Sequence, residues 1–288
     1  MEIDPNNLNK LVQRQMFVDP SGGIINKRIM FGISQLFMNG SDFTEKESQE
    51  MFNLLLVTSL KLVAVWKHKE TYAKLEDELI AAARTKPIDE TQNVPVRLTT
   101  AQDLYLELEG LLVQFKSCLD HMIHILHYSF HLNFASLTTF GDKCDKIIAL
   151  LRNNVRGDKF KKVAAQIAKI IEGNKEWLGR VIDLRDKMNH YVDGGIGLDN
   201  FTVFVRKTNS IDTLYTPKLS ADQTVRDLMT QLFTNLIDFV ERFLGLALLP
   251  RLPKIAIQFK FDNDPTVPRW TFVPVELVRH LEKVAKPM

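Results

Sequence analysis

Residues 98–132, "LTTAQDLYLELEGLLVQFKSCLDHMIHILHYSFHL", place Leu104, Leu108, Leu111, Phe115, Leu119, Met122, Leu126 and Phe130 at spacings of three and four. That rhythm puts all eight on one face of an α-helix and would scatter them over both faces of a strand. A long helix with a buried stripe is therefore the element this chain must accommodate, and it needs other amphipathic helices to cover it. Thr99 or Thr100 is placed to cap its start.

The rest of the chain supplies candidates. Short apolar clusters around "DPSGGI" in residues 8–38 suggest one or two short helices. In "GSDFTEKESQEMFNLLL", Thr44 followed three residues later by Glu47 forms a capping box that opens a helix to about Trp66. A charged helix follows to about Arg84, and "TKPIDETQNVPVR" (85–97) reads as a linker. Further helices are expected at 136–152, at 158–171 ended by Gly173, at 175–192 ended by Gly194 and Gly195, and at 221–248. The alternation in "NFTVFVRKTNSIDTLYTPKL" (200–219) predicts a β-hairpin. Beyond Pro250, "KIAIQFKF" and "RWTFVPV" predict a second strand pair, with a short helix after it. The fold class is mainly α, a helical bundle with a β-hairpin insertion and a small C-terminal β element. The segments are 1–97, 98–250 and 251–288.

With 45% apolar and 25% charged residues, the chain has the material for a core, and a net charge of +2 confines any nucleic-acid surface to a local patch. Cys118 and Cys144 lie in helix-like apolar contexts, which fits a reducing compartment and argues against a disulfide framework or a zinc ribbon. The polar, acidic start does not read as a secretory signal. The longest apolar run, 54–66, is too short for a bilayer and contains Lys61. A cytoplasmic protein with no membrane partner is expected. No phosphate-binding glycine loop, H-E-x-x-H or G-x-S-x-G sequence is present, which disfavours ATPase, metalloprotease and α/β-hydrolase chemistry.

The helix end "LRDKMNHYVDGG" (184–195) gathers chemistry-bearing residues. Asp186 and His190 are four apart and share a face, so the carboxylate can fix one imidazole tautomer. Arg185 falls instead near the apolar side set by Leu178, Val181, Ile182 and Met188. A cation there either snorkels or faces a partner. Histidine can move a 2′-hydroxyl proton near neutral pH, and arginine can hold a phosphorane in a fork. The plain alternative is a helix C-terminus that attracts cations through its dipole.

"LRDKMNHY" resembles the R-x4-6-H signature of the HEPN family, helical domains of many prokaryotic toxin and antiphage RNases. Arg185 and His190 fill its two fixed positions, and Asp186 fills the polar position after the arginine. The helix "LELEGLLVQFKSCLDHMIHIL", with its S-x-L-D step, is similar to the first long helix of such bundles. The likeness covers about 98–248. Tyr191 follows His190 directly, unlike the R-x4-H-x-Y variant, so no modified tyrosine is carried over. The resemblance implies a metal-independent, cofactor-free endoribonuclease acting on RNA. It also implies a homodimer whose two motif helices share a cleft, and an antitoxin or regulatory protein as partner. In that picture Arg185, Asp186 and His190 are catalytic, and Asp120, His124, Lys187 and Asn189 contact the substrate. Non-catalytic relatives exist, so an interaction module or an unrelated helical scaffold is the rival reading.

Three further patterns stand apart. Asp120, His124, His127 and His131 lie within about 60° of one another on the long helix, with Glu109 in line. This face is a metal or substrate site in one reading and a solvated face in the other. A straight helix rarely converges enough ligands on one ion, and no metal site is expected. The run Arg156, Lys159, Lys161, Lys162 and Lys169 attracts phosphate or simply decorates a helix. Arg269 beside Trp270 offers a stacking surface, or a tryptophan that packs the strand pair down.

Overall fold

The computed structural model describes residues 19–31, 41–85, 101–130, 139–140, 144–189, 196–208, 211–220, 222–259, 262–276 and 278. Among these the chain is mainly α-helical. A π-helical turn at Asn26–Phe31 precedes α1, Glu45–Thr85. Then come α2, Ala101–Phe130, α3, Cys144–Asn153, and α4, Asp158–Asn189. Strands β1 (Phe204–Thr208) and β2 (Ile211–Tyr215) pair antiparallel, as do β3 (Lys218–Ser220) and β4 (Gln223–Thr224). Helix α5, Val225–Leu248, leads to the antiparallel ribbon of β5 (Ile255–Phe259) and β6 (Trp270–Pro274). No helix among the described residues is long and apolar enough to cross a membrane.

Local chemistry explains two of the starts. The α1 capping box forms as expected: the Glu47 amide donates to the Thr44 hydroxyl at 3.3 Å, and the Thr44 amide donates to the Glu47 carboxylate at 2.8 Å. Arg251, nearly buried, ties this cap down through Asp42 at 3.0 Å and Glu47 at 3.1 Å. At α5 the Thr224 hydroxyl accepts the Asp227 amide at 3.1 Å, so residues before Val225 go to turn and strand rather than helix.

Two expected breaks are absent. The helices read to Trp66 and on to Arg84 are one element, because no glycine or proline interrupts 45–85. The break at Gly173 is also absent. A mid-helix glycine costs about 1 kcal/mol. Here the buried stripe Ala164, Ile167, Ile171, Leu178, Val181 and Met188 keeps its three-and-four phase straight through the glycine, and burial outweighs the local cost. In contrast, the helix read from 136 begins at Cys144, after Thr139 and Phe140 in non-helical backbone. The pair β3–β4 was not foreseen, since strands of three and two residues carry almost no periodicity. Residues 86–97 of the expected linker, the caps Thr99 and Thr100, Gly194, Gly195 and the last part of the expected terminal helix lie outside the described residues.

Packing divides the chain into two compact units, and the division cuts across the long helices. One comprises 1–63, 116–178 and 236–288; the other comprises 64–115 and 179–235. The first unit is centred on an aromatic cluster in which Phe239 meets Phe140, Trp177 and Phe243 at 5.7–6.0 Å between ring centres. Its β5–β6 ribbon is held to α5 by Trp270, 3% exposed, whose ring lies where a side chain on Gly245 would sit. The second unit buries Val65, Leu108, Leu111, Phe115, Leu232 and Phe233. Both cysteines are buried thiols outside any disulfide.

Candidate functional site

The described part of the motif lies in the last turns of α4, within the second unit. Leu184 and Met188 are buried, which fixes the helix rotation. Arg185 continues the phase of the apolar stripe yet keeps 30% of its side chain exposed. Its guanidinium donates to the Asp186 carboxylate at 2.8 Å. Lys187 is exposed and paired with Asp183 at 2.9 Å, four residues back. Asn189 is the final residue of α4. His190 lies outside the described residues, which hold the arginine half of the motif. Tyr105 anchors this helix end: its hydroxyl donates to the Met188 carbonyl at 3.0 Å, and its ring meets Phe201 edge-on at 5.5 Å. That bond satisfies one of the carbonyls a helix C-terminus leaves open.

Asp120 and His124 belong to the first unit. Asp120 is fully engaged: Phe140 donates its backbone N–H to one carboxylate oxygen at 2.7 Å, and Lys116 pairs with the other at 2.9 Å. The aspartate thus fastens the segment that enters α3. His124 and His127 are exposed, and His131 lies outside the described residues. His121, on a neighbouring face, is half-buried. Burial, then Lys61 and His124, hold its pKa below the usual histidine range, against an opposing pull from Asp120. No group of three or more potential metal ligands converges among the described residues. The structure therefore brings Arg185, Asp186 and Lys187 onto one helix end, and it places Asp120 and His124 in the other unit.

The basic run separates into individual roles. Lys159 donates to the Pro250 carbonyl at 3.2 Å, whereas Lys161, Lys162 and Lys169 are exposed. Trp270 packs inward rather than presenting a stacking face, because Gly245 leaves room for its ring.

Several polar arrangements escaped the sequence reading. In the second unit His68 Nδ1 lies 2.7 Å from Glu107, and Gly110 makes room for the imidazole. A Cβ at that position would fall 2.5 Å from the ring. Tyr72, Glu76 and Arg226 cluster in the same unit, with Asp77 accepting from both guanidinium nitrogens at 2.8 Å. In the first unit Arg28 inserts into a buried carboxylate, Glu241, at 2.7 Å through Nε. The glycine at 110 was the one available signal; the other pairs join residues too distant in sequence to suggest each other.

No family model matches the chain, and no curated protein or solved structure matches it.

Proposed function

We propose that the protein is a HEPN-like, metal-independent endoribonuclease of the toxin or antiphage type, working in the cytoplasm as a homodimer under an antitoxin or regulatory partner. His190 takes the proton of the RNA 2′-hydroxyl. The oxygen attacks the adjacent phosphorus, the bond to the 5′ oxygen breaks, and that oxygen receives a proton as it leaves. A 2′,3′-cyclic phosphate and a 5′-hydroxyl result. Arg185 stabilises the charge on the phosphorane, Asp186 orients the histidine, and Lys187 and Asn189 guide the strand. The single observation that carries this reading is the setting of Arg185. It occupies an apolar-stripe position of α4 while staying 30% exposed, on a helix end fixed by Tyr105. Its stem there runs along the apolar stripe while the guanidinium reaches the surface beside Asp186, where a phosphate can approach it.

One observation favours a second reading, a non-catalytic interaction module of the same fold. The guanidinium is already matched by Asp186. Cleavage of RNA in EDTA separates the two. The nuclease reading expects cleavage by the wild type, with Arg185→Ala and His190→Ala each slower by about 10²-fold or more. No cleavage, or equal cleavage by both variants, leaves the interaction module.

A further inference from the structure

The first unit contains an open groove of about 390 Å³ that brings Lys169 of the basic run together with Arg269, immediately before the last strand. It is formed where α4, α5 and the β5–β6 ribbon meet. Ile170 and Leu246 supply apolar lining, and Lys169, Arg242 and Arg269 bring three cations. Phe259, 44% exposed, stands at the end of β5 and lines the same groove. None of the lining residues is acidic.

The cations differ in how they are held. Arg269 is positioned by the ribbon: its guanidinium donates to the Asp262 carbonyl, and its backbone N–H donates to the buried carboxylate of Glu241. Lys169 and Arg242 are exposed, and among the described residues neither has a hydrogen bond or an ion pair. The acidic residues of the β5–β6 connection are turned to their own turn. Asp262 accepts the Asp264 amide at 3.0 Å, and Asp264 accepts the Thr266 amide at 2.8 Å. The unit thus leaves two cations unmatched beside an exposed aromatic ring.

An exposed aromatic face with flanking cations is the pattern that takes one base by stacking and its neighbouring phosphates by charge. A purely apolar peptide would leave the cations unused, and a free anion would leave Phe259 unused. A groove of about this size, near the low end of the ~300–1,000 Å³ range of ligand sites, admits a nucleotide or two and not a folded partner. The geometry points to a single-stranded polynucleotide segment as the occupant, with a base on Phe259 and phosphates on Lys169, Arg242 and Arg269. This site does not depend on the motif at the end of α4. It is a strand-holding groove whether or not Arg185 and His190 cleave.

The test is fluorescence anisotropy of a short labelled single-stranded RNA with the full chain, in EDTA and over a series of salt concentrations. An Arg185→Ala background is included so that loss of the cleavage reading leaves this result readable. The expected outcome is binding that Phe259→Ala weakens by about fivefold or more, and that Phe259→Tyr preserves. Lys169→Gln combined with Arg242→Gln should reduce the log–log salt slope by about 1.4, at about 0.7 for each lost phosphate contact. The three substituted groove positions are exposed, and circular dichroism of each variant checks that it folds. The proposal is overturned by absence of binding, by binding unchanged in these variants, or by competition from a mononucleotide as strong as from the strand. Displacement by an acidic peptide as effective as the strand also overturns it.

Discussion

Glu241 and Glu76 are both buried carboxylates, one in each compact unit, and their surroundings differ in a way that decides what each contributes. Glu241 accepts from Arg28 through Nε at 2.7 Å, from a second nitrogen of the same guanidinium, and from the Arg269 backbone N–H. Glu76 has Arg226 at 3.5 Å from one oxygen, and its other oxygen has no hydrogen-bond partner among the described residues. The Tyr72 hydroxyl, buried in the same unit, also has none. Burial pushes both glutamates above the usual carboxylate range. In Glu241 the Arg28 charge and the Arg269 N–H oppose it and Asp238 adds to it, while in Glu76 Arg226 alone opposes it and Asp77 and Asp227 add to it. Equal depth therefore does not mean equal value. A matched charge is a fastening, and a half-matched one is a cost the rest of the core offsets.

The largest expected effect follows from the matched site. Glu241→Ala removes the acceptor of two Arg28 nitrogens, leaves that guanidinium, 3% exposed, with Asp238 as its remaining carboxylate, and also releases the ribbon at Arg269. Urea unfolding should show a loss of about 3 kcal/mol. A loss under about 1 kcal/mol would erase the distinction.

Glu76→Gln should change stability at neutral pH by no more than about 1 kcal/mol, in either direction. Its sharper signature is pH dependence. The folded pKa of Glu76 is raised, so its contribution favours the fold at low pH and is lost as pH rises from about 4.3 through the folded value. Glutamine stays neutral, so the variant should gain on the wild type as the pH rises above about 4. A constant difference across that window would mean that Glu76 is solvated.

Asp77→Asn is the smallest of the three. Asp77 is mainly exposed, and the Arg226 guanidinium holds its carboxyl below the usual range. The pair is open to water and salt, so the loss should stay under about 1 kcal/mol and shrink further in high salt. A larger loss would show that Asp77, rather than Glu76, is the true partner of Arg226 in holding the start of α5.

The elements were more legible than the sites. Thr44 and Glu47 announced a helix start because a capping box is complete within four residues. Leu104 to Phe130 announced α2 because a helix face repeats within two turns. Gly173 misled because its cost is local, while the compensating stripe spans both sides of it. Asp120 stands in the sequence as a substrate contact, and its bond to the Phe140 N–H joins residues twenty apart, which no local pattern suggests. Trp270 and Arg269 were adjacent in sequence, yet one turns into Gly245 and the other lines the groove.

By itself the sequence determined that the chain is mainly helical with two longer ribbons, because periodicity, caps and turn residues act over a few peptide units; whether a helix runs on, as at Gly173, depended on packing. Tertiary structure alone decided which charges meet. Arg28 finds Glu241 across 213 residues, and Arg226 finds Asp77 across 149. Desolvation and ion pairing depend on which segments are packed together, and no local rule carries that information.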